Sequence, residues 1–276
     1  MRVEPKKSLG QNFLVDRNIA RKIVEAIAPA PDEPILEIGP GEGALTGLLL
    51  EAGARVTAVE LDPEAAAAVR DRFGDQVRVI QNDILKVSLA EFGGAEGGVR
   101  VVGNIPYYIT SPILFYLFDQ RKAVSEATLM MQREVAERLV ALPRTKDYGI
   151  LAVITQSLTT PERLFNVPPG CFHPRPKVTS SVVRLRFGDR VDLTGIDRLH
   201  RSVVREAFGK RRKTLNNALG GLIPDGSERA ELFSRSGIEP GRRAEELTPE
   251  EFAHLARVLA DAQAGKRGGA ADRDDR

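Results

Sequence analysis

The fold of this 276-residue chain is decided by the stretch Pro34-Ile35-Leu36-Glu37-Ile38-Gly39-Pro40-Gly41-Glu42-Gly43. Its first half is a short apolar run typical of a buried strand, and its second half is a glycine-rich turn. A helical pattern follows at 45–52, so the stretch predicts a strand, a tight turn and a helix. Glycines let the backbone approach a ligand closely. The turn alone does not identify the ligand, because nicotinamide and flavin enzymes use related turns.

The alternation of strand and helix continues to about residue 141. The apolar patterns predict strands at 54–60, 77–80, 99–102 and 127–131, and helices at 16–28, 63–73, 111–118 and 133–141. This spacing favours an α/β fold with a mostly parallel sheet covered on both faces. Ligands of such sheets bind beyond the carboxyl ends of the strands. The first candidate site residues are therefore Gly39, Glu60, Asp83 and Asn104.

From about residue 189 the pattern is helical only. Thr248-Pro249-Glu250-Glu251 combines an N-cap, a first-turn proline and a capping-box glutamate, which together mark a helix start. The last residues are rich in glycine and charge, a composition typical of disorder. The sequence therefore predicts an α/β domain over 1–188, a small all-helical domain over 189–264 and a disordered tail over 265–276.

The composition is that of a globular enzyme, with 42% hydrophobic and 28% charged residues. No apolar run reaches the ~20 residues that a membrane-spanning helix needs, so we expect no membrane association. The single cysteine, Cys171, excludes an internal disulfide and fits a reducing cytoplasm. Three scattered histidines and one cysteine do not form a usual zinc site, so we expect no metal.

The net charge of +2 is uninformative, but its distribution is not. Residues 198–214, the basic segment, hold seven basic residues and one acid, a local charge of +6 in 17 residues. Such a segment attracts phosphates, although charge runs are often simply solvated helix surfaces. We predict that it contacts RNA. Its candidate RNA-binding residues are Arg201, Arg205, Lys210, Arg211, Arg212 and Lys213.

Two carboxylates follow predicted strands. Glu60 lies 17 residues after Gly43, where a carboxylate accepts hydrogen bonds from ribose hydroxyls. Asp83 follows the third strand, where it can accept from an adenine amine or merely cap a turn. Both residues favour a ligand with a nucleoside, but neither distinguishes one nucleoside cofactor from another.

The fourth strand leads into Asn104-Ile105-Pro106-Tyr107, which we predict to be the catalytic motif. The exocyclic amine of adenine is a poor nucleophile, because its lone pair is delocalised into the ring. The Asn104 side-chain carbonyl and the Ile105 backbone carbonyl, fixed by Pro106, can accept its two hydrogens. The lone pair is then free to attack a sulfonium methyl. Tyr107 offers a face for an unstacked base, a contact worth about 1–3 kcal/mol.

Five segments of the chain together resemble one family, the small-subunit ribosomal RNA adenine dimethyltransferases. The likeness runs from Lys6 to about Leu259, in the expected order and without a departure at a motif position. The segments are Lys7-Ser8-Leu9-Gly10-Gln11-Asn12-Phe13-Leu14, Leu36 to Gly41, Val102 to Tyr108, Met131 to Ala136 and Phe172-His173-Pro174-Arg175-Pro176-Lys177-Val178.

This resemblance implies a Rossmann-like, seven-stranded class I methyltransferase sheet with a small all-helical C-terminal domain. It also implies S-adenosylmethionine as cofactor and dimethylation of the N6 amines of two adjacent adenosines in the 3′-terminal hairpin of 16S rRNA, in the 30S particle. Glu60 would hold the cofactor's ribose, Asp83 its adenine, and Phe172 would stack on the target base. The other implied cofactor-binding residues are Asn12, Leu14, Gly39, Gly41 and Asn104.

Three alternatives remain open from the sequence. Macrolide-resistance methylases of 23S rRNA share the Gln-Asn-Phe segment and the Asn-x-Pro-Tyr type of motif, although the lead-in at Lys7 and the segment from Phe172 favour the small-subunit group. DNA adenine methylases more often carry Asn/Asp-Pro-Pro-Tyr. A non-catalytic RNA-binding assembly factor could keep the fold without the chemistry. We expect a monomer.

Overall fold

The structure is a computed structural model that describes residues 3–93, 98–188, 190–210 and 212–271, with side chains to residue 265. The chain divides into two units. The sheet unit comprises Met1–Glu137 and Thr160–Gly188, and the helical unit comprises Arg138–Thr159 and Asp189–Arg276.

Nine strands and ten α-helices form in the described residues. The strands are β1 (Phe13–Leu14), β2 (Pro34–Ile38), β3 (Arg55–Glu60), β4 (Val77–Gln81), β5 (Val99–Asn104), β6 (Val124–Gln132), β7 (Thr159–Val167), β8 (Phe172–His173) and β9 (Ser180–Phe187). The helices are α1 (Arg17–Ile27), α2 (Ala44–Glu51), α3 (Pro63–Phe73), α4 (Thr110–Asp119), α5 (Arg133–Leu139), α6 (Ile150–Leu158), α7 (Asp197–Gly209), α8 (Leu215–Ala218), α9 (Gly226–Ser236) and α10 (Pro249–Ala271).

The main sheet has seven strands in the order β4-β3-β2-β5-β6-β9-β7. The first five are parallel to their neighbours, and β9 runs antiparallel to β6. The predicted α/β fold with a seven-stranded class I methyltransferase sheet is thus confirmed. The strand patterns had predicted β2 to β6 only. The resemblance supplied the count of seven but not the positions of β7 and β9. Strand β7 lies at an edge and alternates too weakly to be recognised.

The helices of the sheet unit begin where the sequence supplies caps. The Asp16 side chain accepts hydrogen bonds from the backbone N–H groups of Asn18 and Ile19 at the start of α1. The buried face of α1 then recurs at helical spacing and packs in the core beside α2. Helix α3 begins with Asp62 as N-cap and Pro63 in the first turn, a combination that favours helix initiation.

The helical unit differs from the predicted division at one place. The expected boundary after residue 188 is also a boundary between the units, but Arg138–Thr159 groups with the helical unit. The physical reason is that α6 is almost wholly apolar and packs against α7 and α10. The predicted domain boundary was placed where the strand patterns end. It therefore did not assign the apolar helix α6 to the helical unit.

Helix α10 starts as the sequence predicts and ends later than expected. Thr248 and Glu251 form a reciprocal capping box, in which each side chain accepts from the other's backbone N–H at 2.8 and 3.2 Å. The helix continues to Ala271, so the expected disorder from residue 265 does not match the helix over 265–271. The remaining tail residues, 272–276, lie outside the described residues.

His200 gives the helical unit a specific pH dependence. It lies fully buried in α7, and among the described residues neither ring nitrogen has a hydrogen-bond partner. Burial lowers the pKa of His200 to about 4, from the 6.5 that it has when exposed. The unfolded chain therefore binds a proton that the folded chain excludes between these values. The resulting contribution to stability is complete above pH 6.5 and is lost, by about 3 kcal/mol, as the pH falls to 4.

We expect His200→Leu to remove this loss. Between pH 7 and pH 5, urea-induced unfolding followed by circular dichroism should show the wild-type free energy of unfolding fall by about 2 kcal/mol more than that of the variant. His254→Leu, at an exposed position of α10, is the matched control and should keep the wild-type slope. Equal slopes for the wild type and His200→Leu would contradict the assignment.

Candidate active site

The sheet register brings three predicted site residues to one edge. Ile38 lies beside Val59 on one neighbouring strand and beside Gly103 on the other, so the residues that follow these positions are adjacent. Gly39, Glu60 and Asn104 therefore line one cavity of about 560 Å³, part of which is open to solvent. The cavity is lined by Leu9, Gly10, Gln11, Asn12, Phe13, Gly39, Gly41, Glu60, Leu61, Asn104, Ile105, Pro106, Tyr107 and Tyr108.

The glycine turn after β2 forms the floor of this cavity. Gly39 and Gly41 have φ values of 65° and 56°, a left-handed conformation that side chains rarely adopt. A Cβ on Gly39 would meet no protein atom within 4 Å, so it would project into open space. A Cβ on Gly41 would lie 2.7 Å from the ring of Phe13. The first glycine thus leaves room for a ligand, and the second lets the N-terminal segment pack against the turn.

Glu60 presents a fixed carboxylate at the end of β3. Its Oε1 accepts a hydrogen bond from the backbone N–H of Asp62 at 2.9 Å, and its Oε2 accepts from the backbone N–H of Gly41 at 3.3 Å. The side chain is only 7% exposed, and burial raises its pKa. The two N–H donors hold the carboxylate in one orientation beside the cavity.

Asn104 is oriented by a bond to the N-terminal segment. Its Nδ2 donates to the backbone carbonyl of Asn12 at 2.8 Å, and the Asn12 Nδ2 donates to the carbonyl of Gly10 at 3.0 Å. The Oδ1 of Asn104 receives no hydrogen bond from the described residues, so it can accept one from a ligand. This is the role that the sequence predicts for the side chain.

Ile105 is held just beyond the end of β5. Its backbone N–H donates to the carbonyl of Met130 at 2.9 Å, and its side chain is buried. No N–H or O–H of the described residues donates to the Ile105 carbonyl. The following Pro106 has a φ of −56° and its backbone carbonyl accepts from Ile109 N–H. The motif thus places a second acceptor, the Ile105 carbonyl, beside Asn104.

Tyr107, the last residue of the motif, and Tyr108, which follows it, lie in different environments. The Tyr107 hydroxyl is hydrogen-bonded to the Ser180 hydroxyl at 2.8 Å, and burial raises its pKa. The Tyr108 side chain is 57% exposed and its ring lies against Gly10. The sequence singled out Tyr107 alone. Tyr108 is an additional exposed aromatic ring on the cavity, and the doubled tyrosine was its only signal.

A smaller cavity adjoins the first. It is lined by Leu14, Glu37 and Asn104, among others, and it shares the glycine turn with the larger cavity. Leu14 thus lies beside the site but lines this smaller cavity. The Glu37 carboxylate is buried and accepts a hydrogen bond from the Thr46 hydroxyl at 2.6 Å. Burial raises the pKa of Glu37 to about 7.

Outside the basic segment, two predicted site residues, Asp83 and Phe172, line neither of these cavities. Asp83 caps the short helical turn after it, and its Oδ1 accepts from the backbone N–H of Leu85 at 3.0 Å. Phe172 is 4% exposed and packs in the core, where its strand β8 pairs with β1 through Leu14. In this conformation the Phe172 ring has no free face for a base.

The basic segment lies on α7 and the turn after it. Arg205, Lys210, Arg212 and Lys213 are exposed, as expected for a phosphate-binding surface. Arg201 is only partly exposed and forms an ion pair with Asp197 one turn away, at 3.5 Å. The partner carboxylate reduces the charge that Arg201 offers to RNA. Arg211 lies outside the described residues.

No three or more His, Cys, Asp or Glu side chains in the described part of the chain are arranged to hold a metal ion. Among the described helices, none combines the length and apolar character needed to cross a membrane.

The parallel sheet, with antiparallel β9 beside β6 and a cavity at its carboxyl edge, is the fold of a class I methyltransferase. Residues 3–261 match the family model described as ribosomal RNA adenine dimethylase. The chain therefore belongs to that family, whose members are S-adenosylmethionine-dependent rRNA methyltransferases.

Individual relatives agree with this membership. The chain is 43% identical over 261 residues to the ribosomal RNA small subunit methyltransferase A of Methylococcus capsulatus, covering 94% of this chain and 99% of the relative. It resembles the crystal structure of a dimethyladenosine transferase from Plasmodium falciparum, with 25% identity, a TM-score of 0.76 and coverage of 88% and 95%. It also resembles the crystal structure of the 23S rRNA methyltransferase ErmE, with 30% identity, a TM-score of 0.67 and coverage of 90% and 100%.

Proposed function

We propose that this protein dimethylates the N6 amines of two adjacent adenosines in the 3′-terminal hairpin of 16S rRNA, in the 30S particle, during small-subunit biogenesis. The observation that carries the proposal is the pair of acceptors at Asn104 and Ile105 on the cavity edge. The choice of the small-subunit RNA is supported by the relatives named small subunit methyltransferase A, at 43% identity against 30% for ErmE.

The cavity fits S-adenosylmethionine. Gly39 leaves open space where a side chain would stand, and Glu60 offers a fixed acceptor for ribose hydroxyls. When bound, the cofactor supplies an electrophilic methyl group on a sulfonium. Asn12 and Gly41 would complete the wall, Leu14 would support it from the smaller cavity, and Asp83 would hold the adenine.

Asn104 and Ile105 prepare the target amine for attack. The Asn104 Oδ1 and the Ile105 carbonyl accept its two hydrogens, which localises the nitrogen lone pair and directs it toward the methyl. The acceptors are fixed before the reaction by bonds to Asn12 and Met130, so they cost no reorganisation at that moment. The amine would lose a proton to solvent as the new N–C bond forms and the methyl's bond to the sulfonium sulfur breaks. The Cys171 thiol is buried and lines neither cavity, so we assign it no part in the reaction.

The target base would be held by aromatic rings at the motif. Tyr107 is fixed by Ser180, and Tyr108 offers the more exposed face. Stacking on such a ring is worth about 1–3 kcal/mol per base. Phe172 would take part only after its ring leaves the core, which requires a rearrangement of β8.

The remaining RNA would be bound by the basic segment. Arg205, Lys210, Arg211, Arg212 and Lys213 would contact phosphates, with a smaller contribution from Arg201 because of its ion pair. Such contacts position the RNA without reading its sequence. We further propose that the protein acts as a monomer in the cytoplasm, where ribosomal particles assemble.

Neutralising part of the basic segment should reduce the salt dependence of RNA binding. We expect Arg212→Gln with Lys213→Gln to make the slope of log K against log salt shallower by about 1–2, through loss of up to two phosphate contacts. Fluorescence anisotropy with a hairpin RNA measures the slope. Arg55→Gln with Lys122→Gln removes two exposed charges, at the first residue of β3 and two residues before β6, and should leave the slope unchanged. An unchanged slope in Arg212→Gln with Lys213→Gln would contradict the assignment of the basic segment to the RNA-binding surface.

The proposed function is tested by methyl transfer from labelled S-adenosylmethionine to undermethylated 30S and 50S particles, with the product nucleoside identified. Dimethyladenosine in the 16S RNA alone is the expected result. Label in the 50S RNA would instead make the protein a 23S-type methylase similar in action to ErmE. No transfer to either particle would favour a non-catalytic assembly factor.

A further inference from the structure

Asp62 carries a buried negative charge beside the cavity. It follows β3 and its side chain has no solvent exposure. Its Oδ1 accepts hydrogen bonds from the Lys6 ammonium at 2.7 Å and from the backbone N–H of Glu64 at 3.0 Å. Its Oδ2 accepts from the Gln11 side-chain amide at 2.9 Å. Each oxygen thus bonds to the N-terminal segment, and only one of the three bonds is needed to cap α3.

Lys6 and Gln11 also bond to each other. The backbone N–H of Lys6 donates to Oε1 of Gln11 at 2.7 Å, so the three residues form a closed ring of hydrogen bonds. We call Lys6, Gln11 and Asp62 the Asp62 cluster. Charge-assisted bonds of this kind are about twice as strong as neutral ones. The bond to Asp62 raises the pKa of Lys6, and the bonds from Lys6 and Gln11 outweigh burial and lower the pKa of Asp62.

The cluster lies at one end of a cavity wall. Residues 9–13 line the cavity, and the Asp62 cluster fixes the chain at Lys6 and Gln11. Farther along, the wall is fixed by the bond from Asn104 to Asn12 and by the pairing of β1 with β8. Asp62 also donates its backbone N–H to Glu60, so one residue supports both the wall and the proposed ribose acceptor.

We propose that Asp62 is a positioning residue that holds the N-terminal segment, residues 6–14, closed over bound S-adenosylmethionine and so limits how fast the cofactor leaves. The inference rests on the proposed cofactor site. It assigns the buried carboxylate a task beyond capping α3, because a cap requires no bond to Lys6 or Gln11. Cofactor exchange then requires the Asp62 cluster to open.

Lys6→Met tests the proposal with little risk to the fold, since Lys6 is partly exposed and does not line the cavity. We expect the dissociation constant and the dissociation rate for S-adenosylmethionine each to rise about 10-fold, as for loss of a hydrogen bond to a charged group. Calorimetry and stopped-flow displacement measure them. Lys7→Met makes the same change at an exposed neighbour with no described side-chain bond and should match the wild type.

Two further readouts separate positioning from a general structural role. In Lys6→Met the KM for the cofactor should rise while kcat at saturating cofactor stays within about 2-fold, and Lys6→Arg, which restores a cation, should recover the wild-type KM. Asp62→Asn should raise the dissociation rate at least as much as Lys6→Met. If the wild type binds the cofactor and Lys6→Met, Asp62→Asn and Lys7→Met all release it at the same rate, this proposal is overturned but the proposed function is not. A wild type that does not bind S-adenosylmethionine would overturn the proposed function and this proposal together.

Discussion

Asn104→Ala is expected to slow methyl transfer by about 10²–10³-fold at saturating cofactor and RNA, the scale of losing one preorganised polar group at a reacting centre. The variant removes the Oδ1 acceptor from the target amine and the Nδ2 bond that fixes the carbonyl of Asn12. The nitrogen lone pair then stays delocalised in the adenine ring. Single-turnover transfer from labelled S-adenosylmethionine measures the rate of the chemical step.

The control for this variant is Asn18→Ala. Asn18 is exposed on α1, and its side chain makes no hydrogen bond among the described residues. It should transfer methyl groups at the wild-type rate. RNA affinity should change far less than the rate in both variants, because the phosphate contacts proposed for the basic segment stay intact. A single-turnover rate within 3-fold of the wild type in Asn104→Ala would contradict the assignment of Asn104 as an acceptor.

Glu60→Gln is expected to weaken S-adenosylmethionine binding by about 10–100-fold, the scale of losing hydrogen bonds to a charged group. Both Glu60 oxygens accept from backbone N–H groups, those of Asp62 and Gly41. A glutamine amide would direct its NH₂ at one of these donors, so the side chain must turn away from its present position. Calorimetric titration with the cofactor measures the loss.

The pH dependence of cofactor affinity gives a second test of Glu60. Burial raises the pKa of Glu60, so its carboxylate takes up a proton at a higher pH than an exposed glutamate does. Cofactor affinity should therefore fall as the solution is acidified through that pKa, and Glu60→Gln should not show this fall. Glu91→Gln, at an exposed position, should keep both the wild-type affinity and its pH dependence. Wild-type affinity in Glu60→Gln would exclude Glu60 from ribose binding.

The strands and helices that the sequence predicted best are those with a complete local signal. Strands β2 to β6 are apolar runs that end in turns, because parallel strands are buried on both faces. Helix α10 begins at a capping box that can be recognised from four residues. Strand β7 has no such signal, since as an edge strand it keeps one side polar, and the packing of α6 with the helical unit depends on residues far away in sequence.

The candidate site likewise contains residues that could be placed from the sequence and residues that could not. Gly39, Glu60 and Asn104 could be placed together because the carboxyl ends of parallel strands meet at one edge. Phe172 could not be judged from its motif, since its burial depends on pairing with β1, 158 positions earlier in the chain at Leu14. The sequence does not indicate the contacts of Asp62 with the N-terminal segment, because a carboxylate before a helix proline is already expected as an N-cap.

By itself the sequence determined the type of fold, the edge of the sheet that carries the site and the family to which the chain belongs. These follow from periodicity and from short motifs, which act over a few residues. The tertiary structure decided which atoms of those residues are engaged. It directs the Asn104 amide to Asn12, buries Phe172 and joins Lys6 and Gln11 to Asp62. Such contacts join residues distant in sequence, so they form only when the packed chain brings both partners within hydrogen-bond distance.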